Sequence, residues 1–198
     1  VNNNTGMHQT TDDTIPILIY SDINNVEWAQ KAIVSLTERG ILNGRGNGVF
    51  APDDAVTREE FVKMISEAFL KNEKEADVDF TDVSVGAWYM PSLKKAYAAN
   101  LVNGLSDTYF GIGNSIKRQE MAAIAYRTAV LQTEITEIAE EEYQLFGDDA
   151  QIDGYARKAI YTLREMGVIN GISEDLYAPL SEVSRAQAAV IIYNLLEL

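Results

Sequence analysis

The strongest constraint on this chain is a pattern that occurs three times with nearly fixed internal spacing. An aromatic residue precedes an arginine by 30 positions in each copy, and the glycine of an Asn-Gly pair precedes that arginine by 14. A period of about 60 residues, kept in register this closely, predicts three copies of one supersecondary unit. The corresponding residues are Asp22, Trp28, Asn43-Gly44 and Arg58; Asp82, Trp88, Asn103-Gly104 and Arg118; and Asp148, Tyr155, Asn170-Gly171 and Arg185.

Composition places the 198-residue chain among ordinary globular proteins and excludes several other classes. Apolar residues make up 46% of the sequence and charged residues 23%, so the chain can bury a core. The absence of cysteine excludes a disulfide framework and a thiolate metal site. The polar, acidic residues 1–13 do not resemble a signal peptide, and no apolar run is long enough to predict a membrane span.

Charge argues against nucleic acid and anionic membranes as partners. The formal net charge is -14, which repels other polyanions unless basic groups are concentrated locally. Eight acidic residues and no basic residue lie between Arg127 and Arg157. We interpret this block as a solvated helix face or linker, with a partner-binding surface as the less favoured alternative.

Each copy has the pattern of a helix, a loop and a second helix. The first helix ends at Gly40, Asn100 or Gly167, residues suited to a left-handed cap, and the Asn-Gly pair in the loop suits a positive φ. The second helix begins with a capping box at Thr57 and Ser184. In the middle copy Lys117 takes that place, which predicts a weaker cap or one supplied by Ser115. Apolar residues at helical spacing predict these faces: Trp28, Ala32, Ile33 and Leu36; Tyr155, Ala159, Ile160 and Leu163; Phe61 to Phe69, Met121 to Ala129 and Ala188 to Leu196.

The three arginines are the leading candidates for a binding role. Arg58, Arg118 and Arg185 each lie in the first turn of a predicted helix, where the helix dipole disfavours a cation. Free N–H groups at a helix start suit an anion, and an arginine fork beside them suits a carboxylate. An equally weighted alternative is that each arginine pairs with Asp22, Asp82 or Asp148 and ties the copies together.

The other recurring residues have favoured structural interpretations. We expect Asp22, Asp82 and Asp148 to be N-cap or turn residues rather than ligands. Core positions are favoured over sugar-stacking roles for the recurring aromatic residues, and we expect the tryptophan rings to be largely buried with one edge at an inter-repeat groove. No catalytic motif is present, and the single histidine, His8, lies in the N-terminal lead, so an enzyme is the least favoured class.

The combined motifs resemble the S-layer homology repeat. The resemblance rests on Tyr20-Ser21-Asp22-Ile23, on Phe80-Thr81-Asp82-Val83, on the Gly-Ile-Leu-Asn-Gly loop that ends at Gly44, and on Thr57-Arg58-Glu59-Glu60. Three such copies cover residues 20–198. The resemblance implies an all-α fold in which the repeats form a pseudo-three-fold, three-pronged spindle around a central three-helix bundle. It also implies an extracellular module of the bacterial cell wall or surface layer that anchors proteins non-covalently through a secondary cell-wall polysaccharide, often pyruvylated on N-acetylmannosamine.

The resemblance also implies which residues bind the ligand. It implies no cofactor, no bound metal and no catalytic residue. Copies two and three depart from the family pattern at Lys117-Arg118-Gln119-Glu120, at Ser184-Arg185-Ala186-Gln187 and at Tyr155, so grooves built from copy one, with Arg58, are the closest to the family. A protein–protein module for surface-layer self-assembly or partner docking is the alternative function. The implied ligand-binding residues are Arg58, Arg118, Arg185, Asp22, Asp82, Asp148, Trp28, Trp88, Tyr155, Gly44, Gly104 and Gly171.

The expected organisation has four parts. Residues 1–19 form a partly disordered lead, whose segment 15–19 reads as a strand or docking segment. Repeat 1 covers 20–79, repeat 2 covers 80–145 with the acidic linker, and repeat 3 covers 146–198.

Overall fold

The regular secondary structure in the part that the structure describes is helical. The computed structural model describes residues 20–136 and 138–198, so the predictions about the lead 1–19 and His8 lie outside the described residues. Within that part there are no strands beyond isolated bridges, which confirms the predicted all-α class. The helices are α1 (Glu27–Glu38), α2 (Arg58–Phe69), α3 (Met90–Ala98), α4 (Arg118–Gln132), α5 (Gly154–Glu165) and α6 (Arg185–Leu196), with short 3-10 helices at Glu140–Glu142 and Asp149–Gln151.

The ends of the helices follow the predicted signals. In α2 the Glu60 N–H donates to Thr57 Oγ1 at 3.3 Å, and the Thr57 N–H donates back to the Glu60 carboxylate at 3.1 Å. Lysine has no side-chain acceptor, so α4 keeps only half of this box, with the Lys117 N–H donating to Glu120 at 2.9 Å. At the ends of the first helices, Gly40, Asn100 and Gly167 have φ values of 70°, 56° and 72°, which confirms the predicted left-handed stops.

The helices pack across copies rather than within them. The first helix of each copy packs on the second helix of the preceding copy, so α3 lies on α2, α5 on α4 and, closing the cycle, α1 on α6. The second helices α2, α4 and α6 also contact one another, as their wide apolar faces predict. These contacts are those expected of a pseudo-three-fold spindle, whose symmetry stays a prediction.

A ring of backbone hydrogen bonds joins the three copies just before their second helices. The Val56 N–H donates to the Val183 carbonyl at 2.9 Å, and the Val183 N–H donates to the Ile116 carbonyl at 3.1 Å. The Ile116 N–H closes the ring on the Val56 carbonyl at 2.9 Å. All three side chains are fully buried, so these bonds are shielded from water. The ring fixes where α2, α4 and α6 begin.

The acidic block is mainly a solvated connection between α4 and α5, in agreement with the favoured interpretation. Glu134, Glu141 and Glu142 are exposed, and the connection has little helix beyond its two short 3-10 turns. Arg157 balances part of the negative charge by pairing with Glu140 and Asp149 at 3.0 and 3.1 Å. We assign no binding role to the block.

Candidate functional site in the inter-repeat grooves

Three surface grooves bring the recurring residues together, and every groove draws on all three copies. Each takes a second helix and an Asn-Gly loop from one copy, an arginine from the copy before and an aromatic residue from the copy after. Their volumes are about 180, 450 and 360 Å3. We name them by their helix: the α2 groove with Gly44, Arg185 and Trp88; the α4 groove with Gly104, Arg58 and Tyr155; and the α6 groove with Gly171, Arg118 and Trp28.

The three arginines are buried and reach into the loop of the next copy. Their exposed fractions are 6% for Arg58, 4% for Arg118 and 4% for Arg185. Arg118 donates from Nε to the Tyr177 carbonyl at 2.7 Å and from Nη2 to the Asn170 carbonyl at 2.8 Å. Its guanidinium also lies 4.6 Å from the centre of the Tyr177 ring, a cation–π distance. Arginine therefore ties neighbouring copies together at the floor of each groove.

Arg185 repeats this arrangement, and Arg58 departs from it. Arg185 donates from Nε to the Phe50 carbonyl at 2.9 Å and from Nη2 to the Asn43 carbonyl at 2.7 Å. Arg58 keeps only the Nη2 bond, to the Asn103 carbonyl at 2.8 Å, and its buried Nε has no hydrogen-bond partner among the described residues. Burial lowers the pKa of all three arginines, yet each stays a cation at neutral pH. The α4 groove thus holds the arginine with the least satisfied guanidinium.

The helix-start N–H groups that were expected to suit an anion are already bonded. The Arg58 N–H donates to the Asn114 carbonyl, the Arg118 N–H to Ser181 and the Arg185 N–H to Asp54, each at 2.9 Å. That part of the anion-site prediction is wrong, because the loop of a neighbouring copy supplies the acceptors. Any anion in these grooves would have to bind side-chain donors.

The recurring aspartates form hydrogen bonds with backbone N–H groups of the loops, and not with the arginines. Asp22 accepts from the Phe50 and Ala51 N–H groups at 2.8 and 2.7 Å, and Asp148 accepts from Tyr177 and Ala178 in the same way. Asp82 accepts from three successive N–H groups, those of residues 110, 111 and 112. Asp22 lies in a turn as expected, while the N-cap alternative is wrong because Val26 occupies the N-cap.

Arginine and aspartate are therefore linked through the loop backbone between them. The Asp22 carboxylate fixes the N–H side of the Phe50 region, and Arg185 binds the Phe50 carbonyl. The expected direct pairing is wrong: among the described residues none of the three arginines forms an ion pair with these aspartates. Burial alone would raise the pKa of Asp22 and Asp82, but their bonds from backbone N–H groups outweigh it and lower the pKa of both.

The aromatic residues lie at the surface of the grooves, which contradicts their expected burial. Trp28 is 60% exposed, Trp88 57% and Tyr155 55%. The buried face of α1 begins one residue later, at Ala29, and the face of α5 begins at Ala156 instead of Tyr155. One residue turns a helix by about 100°, so this shift moves the aromatic ring off the core. The rings can offer a face to a ligand.

The loop glycines are required for close packing and not for a positive φ. None of Gly44, Gly104 and Gly171 has a positive φ, so that expectation is wrong. A Cβ added at Gly44 would lie 2.5 Å from the Val49 carbonyl oxygen and 2.5 Å from the Tyr20 ring. The other two glycines face equally close backbone oxygens and an aromatic ring. These glycines let the loop pack closely, and they line the grooves with backbone atoms alone.

Charged side chains at the groove rims were missed by sequence reasoning. The α2 groove holds Arg45 and Lys63, and Arg45 pairs with Glu60 at 2.7 Å. The α4 groove holds Lys117 and Arg127. Lys63 lies five residues after Arg58 and Arg127 lies nine residues after Arg118, on the helix face that borders the groove. Arg45 directly follows the loop glycine Gly44, and Lys117 directly precedes Arg118. Comparing these positions between copies was the signal that could have revealed them.

Tyr155 lies within the charge cluster of the α4 groove. Partial burial, followed by the negative charges of Glu120 and Asp153, raises the pKa of Tyr155 to about 12. Arg58 and Arg127 oppose that shift, so all of these groups act on the phenol. Tyr155 stays neutral at physiological pH and can both donate and accept a hydrogen bond.

Two further properties apply to the part of the chain that the structure describes. Residues 20–136 and 138–198 contain no group of three or more acidic or histidine side chains placed to hold a metal ion. No helix in the same ranges has the length and apolarity needed to cross a bilayer.

Comparison with known proteins identifies the repeated unit. The family model of the S-layer homology domain matches residues 19–62, 79–122 and 145–189. The chain is 33% identical to an amylopullulanase of Thermoanaerobacterium thermosulfurigenes and 33% identical to exoglucanase XynX of Acetivibrio thermocellus, in both cases over 90% of its own length. It is 28% identical to a cellulosome-anchoring protein of Acetivibrio thermocellus over 79% of its length. It spans 9%, 16% and 35% of these three relatives, so it matches a small part of each.

Proposed function

The chain belongs to the S-layer homology family, and on that premise we propose that it anchors a larger surface protein non-covalently to the bacterial cell wall. The ligand is an anionic, pyruvylated secondary cell-wall polysaccharide, bound in the grooves between repeats. One relative is named as a cellulosome-anchoring protein and others as surface-layer proteins, which supports an anchoring role at the cell surface. The small share of each relative that the chain covers fits a module joined to other domains.

The observation that carries this proposal is the pairing of a guanidinium with an exposed aromatic ring in every groove. The arginine lies at the floor and the ring stands at the rim, 55% to 60% exposed. A sugar ring stacks on the aromatic face while an acidic substituent reaches the arginine fork. This arrangement supports binding of a sugar that carries an acidic group.

Arg58 is the arginine best suited to a carboxylate. Its Nε has no partner, whereas Arg118 and Arg185 each use Nε and Nη2 on backbone carbonyls. Lys117 and Arg127 line the same groove, so that with Arg58 its three cations outnumber the two carboxylates of Glu120 and Asp153. Local cations of this kind let a chain of net charge -14 hold an anionic polymer.

The test is calorimetric titration of the purified polysaccharide before and after chemical removal of its pyruvate. A charge-assisted hydrogen bond contributes about 1.5–3 kcal/mol, so Arg58→Ala should weaken binding by about 10- to 100-fold. Arg58→Lys keeps the charge but loses the fork, and it should recover only part of that loss. Because Arg58 is buried, circular dichroism must first show that each variant folds.

Two outcomes would contradict the mechanism. Folded alanine variants of all three arginines, single and combined, that bind as the parent does would exclude the guanidinium. Undiminished binding to cell-wall sacculi stripped of the polysaccharide would favour the alternative, a module that docks on protein or on itself.

A further inference from the structure

Each of the three grooves has a buried arginine and an exposed aromatic residue, but the grooves differ in their other charged side chains. The positions two, five and nine residues after the helix-start arginine are Glu60, Lys63 and Glu67 in α2, and Gln187, Val190 and Asn194 in α6. The residue after the loop glycine is Arg45 in the first copy and Ile172 in the third. The α4 groove keeps charge at two of these four positions, Glu120 and Arg127, and has Ala123 and Leu105 at the other two. The α6 groove has uncharged side chains at all four positions.

Among the residues that the structure describes, Arg118 is the only ionisable side chain that lines the α6 groove, and its donors are largely engaged. Nε and Nη2 bond to the Tyr177 and Asn170 carbonyls, and the guanidinium lies over the Tyr177 ring. No other lysine or arginine within 20–136 and 138–198 lines this groove, in contrast to Lys117 and Arg127 in the α4 groove. A carboxylate entering the α6 groove would lose water without gaining a second cation, and that loss is costly.

What remains is a small apolar depression with amide groups and an exposed indole. Val190 and Ile191 line it, and Trp28 stands at its edge. Gln187 accepts at Oε1 from the Ser184 N–H at 3.2 Å, which leaves its Nε2 as a donor. Asn194 donates from Nδ2 to the Val168 carbonyl at 3.0 Å, which leaves its Oδ1 as an acceptor.

We infer that the α6 groove binds an uncharged, N-acylated sugar unit, whereas the α4 groove takes the acidic one. The sugar ring stacks on Trp28, the acyl methyl group lies against Val190 and Ile191, and the acyl amide bonds to Gln187 and Asn194. This assignment rests on the proposed function, because it takes the ligand of all three grooves to be wall glycan. Its consequence is that one chain reads two chemically different units of a polymer at once, which raises avidity and specificity together.

The two tryptophans make the test direct, since each reports on a different groove. Trp88→Phe leaves Trp28 as the only tryptophan, in the α6 groove, and Trp28→Phe leaves Trp88, in the α2 groove. Each variant is titrated with N-acetylglucosamine, glucose and glucuronic acid, which differ in the acyl amide and in charge. For the Trp28 reporter, N-acetylglucosamine should bind at least about tenfold more tightly than the other two sugars. Added salt should not change that affinity, because screening acts on charged ligands. The Trp88 reporter should not respond to N-acetylglucosamine over the same range.

A variant that adds a positive charge to the α6 groove provides an independent test. Ile172 is 56% exposed, so Ile172→Arg, which copies the Arg45 position of the α2 groove, should fold normally. It should strengthen glucuronic acid binding at the Trp28 reporter severalfold and make that binding sensitive to salt. A Trp28 signal that is absent with N-acetylglucosamine, or equal for all three sugars, would overturn the inference.

The outcome is separable from that of the anchoring proposal. Purified polysaccharide that binds through Arg58 while the Trp28 reporter ignores N-acetylglucosamine would defeat this inference alone. A Trp28 reporter that selects N-acetylglucosamine in a protein that does not bind the polysaccharide would defeat the anchoring proposal alone.

Discussion

Asp82 accepts hydrogen bonds from three successive backbone N–H groups, so its charge stabilises the loop that forms a groove wall. The lowered pKa of Asp82 means that the folded protein favours the ionised form. A group of this kind contributes stability above its unfolded pKa of about 3.9, and the contribution is lost as pH falls through the lower folded value.

Replacement of this carboxylate should reduce both stability and its pH dependence. We expect Asp82→Asn to lower the free energy of unfolding at pH 7 by about 1.5–3 kcal/mol. The parent should lose stability progressively as pH falls below about 4 and through the lower folded pKa of Asp82, and the variant should lose less. Urea denaturation at pH 7 and pH 3 measures both effects. Asp107→Asn, at an exposed loop position, is the matched control and should behave as the parent does. Equal acid sensitivity of Asp82→Asn and the parent would contradict the assignment.

The tryptophan rings give a second prediction at the scale of single residues. Because Trp28 and Trp88 are 60% and 57% exposed, acrylamide should quench most of the fluorescence of the folded protein. Acrylamide is preferred to iodide because the net charge of -14 repels an anion. Protein unfolded in urea provides the upper limit of quenching. Near-complete protection in the folded state would mean that the rings are core residues after all.

Single residues also show where sequence reasoning succeeds and where it stops. Capping residues such as Thr57 and stop residues such as Asn100 act on adjacent backbone, so local sequence contains the information needed to place them. Arg185, in contrast, bonds to the carbonyl of Asn43, which lies 142 residues earlier in the sequence. Spacing within a copy is the same whether an arginine contacts its own loop or that of the next copy, so no periodic pattern could have distinguished the two.

At the scale of helices, the second helices were predictable and the first helices only partly so. Apolar spacing located the buried faces of α2, α4 and α6, because most sides of these helices meet protein. In α1, the apolar series can begin at Trp28 or at Ala29, and periodicity alone does not choose. The outcome depends on tertiary packing: α1 packs on α6, Ala29 is buried, and the Trp28 indole stays exposed.

Ile192 tests the packing of the second helices. It is fully buried on α6, and Ile192→Ala should lower the free energy of unfolding by about 2–5 kcal/mol. Val190→Ala on the same helix is the control, because Val190 is only partly buried at the groove and should lose less than about 1.5 kcal/mol. Chemical denaturation of the two variants compares the losses. A loss of unfolding free energy below about 0.5 kcal/mol for Ile192→Ala would contradict the central packing of α6.

At the scale of the whole molecule, the repeats form a closed cycle and not an open stack. An open array of repeats contacts only sequence neighbours and unfolds gradually from its ends. Here α1 covers α6, Arg185 bonds to the Phe50 and Asn43 carbonyls, and Val56 donates to Val183, so the first copy contacts the last. Each groove likewise needs all three copies, which makes the binding surface a property of the complete cycle.

Closure of the cycle predicts that the repeats unfold together. Removal of residues 146–198 would uncover the apolar face of α1 and leave the Val56 N–H without its acceptor. We expect the shortened protein to show no cooperative thermal transition, while the full chain shows one transition in circular dichroism and in amide exchange of α1. Arg185→Lys is the milder control: it keeps the charge and the chain length but loses the two-carbonyl bond, so it should lower the midpoint of the single transition by several degrees without splitting it. A shortened protein that unfolds cooperatively at the parent midpoint would show that repeats 1 and 2 are stable alone, and cooperative unfolding would then not depend on closure of the cycle.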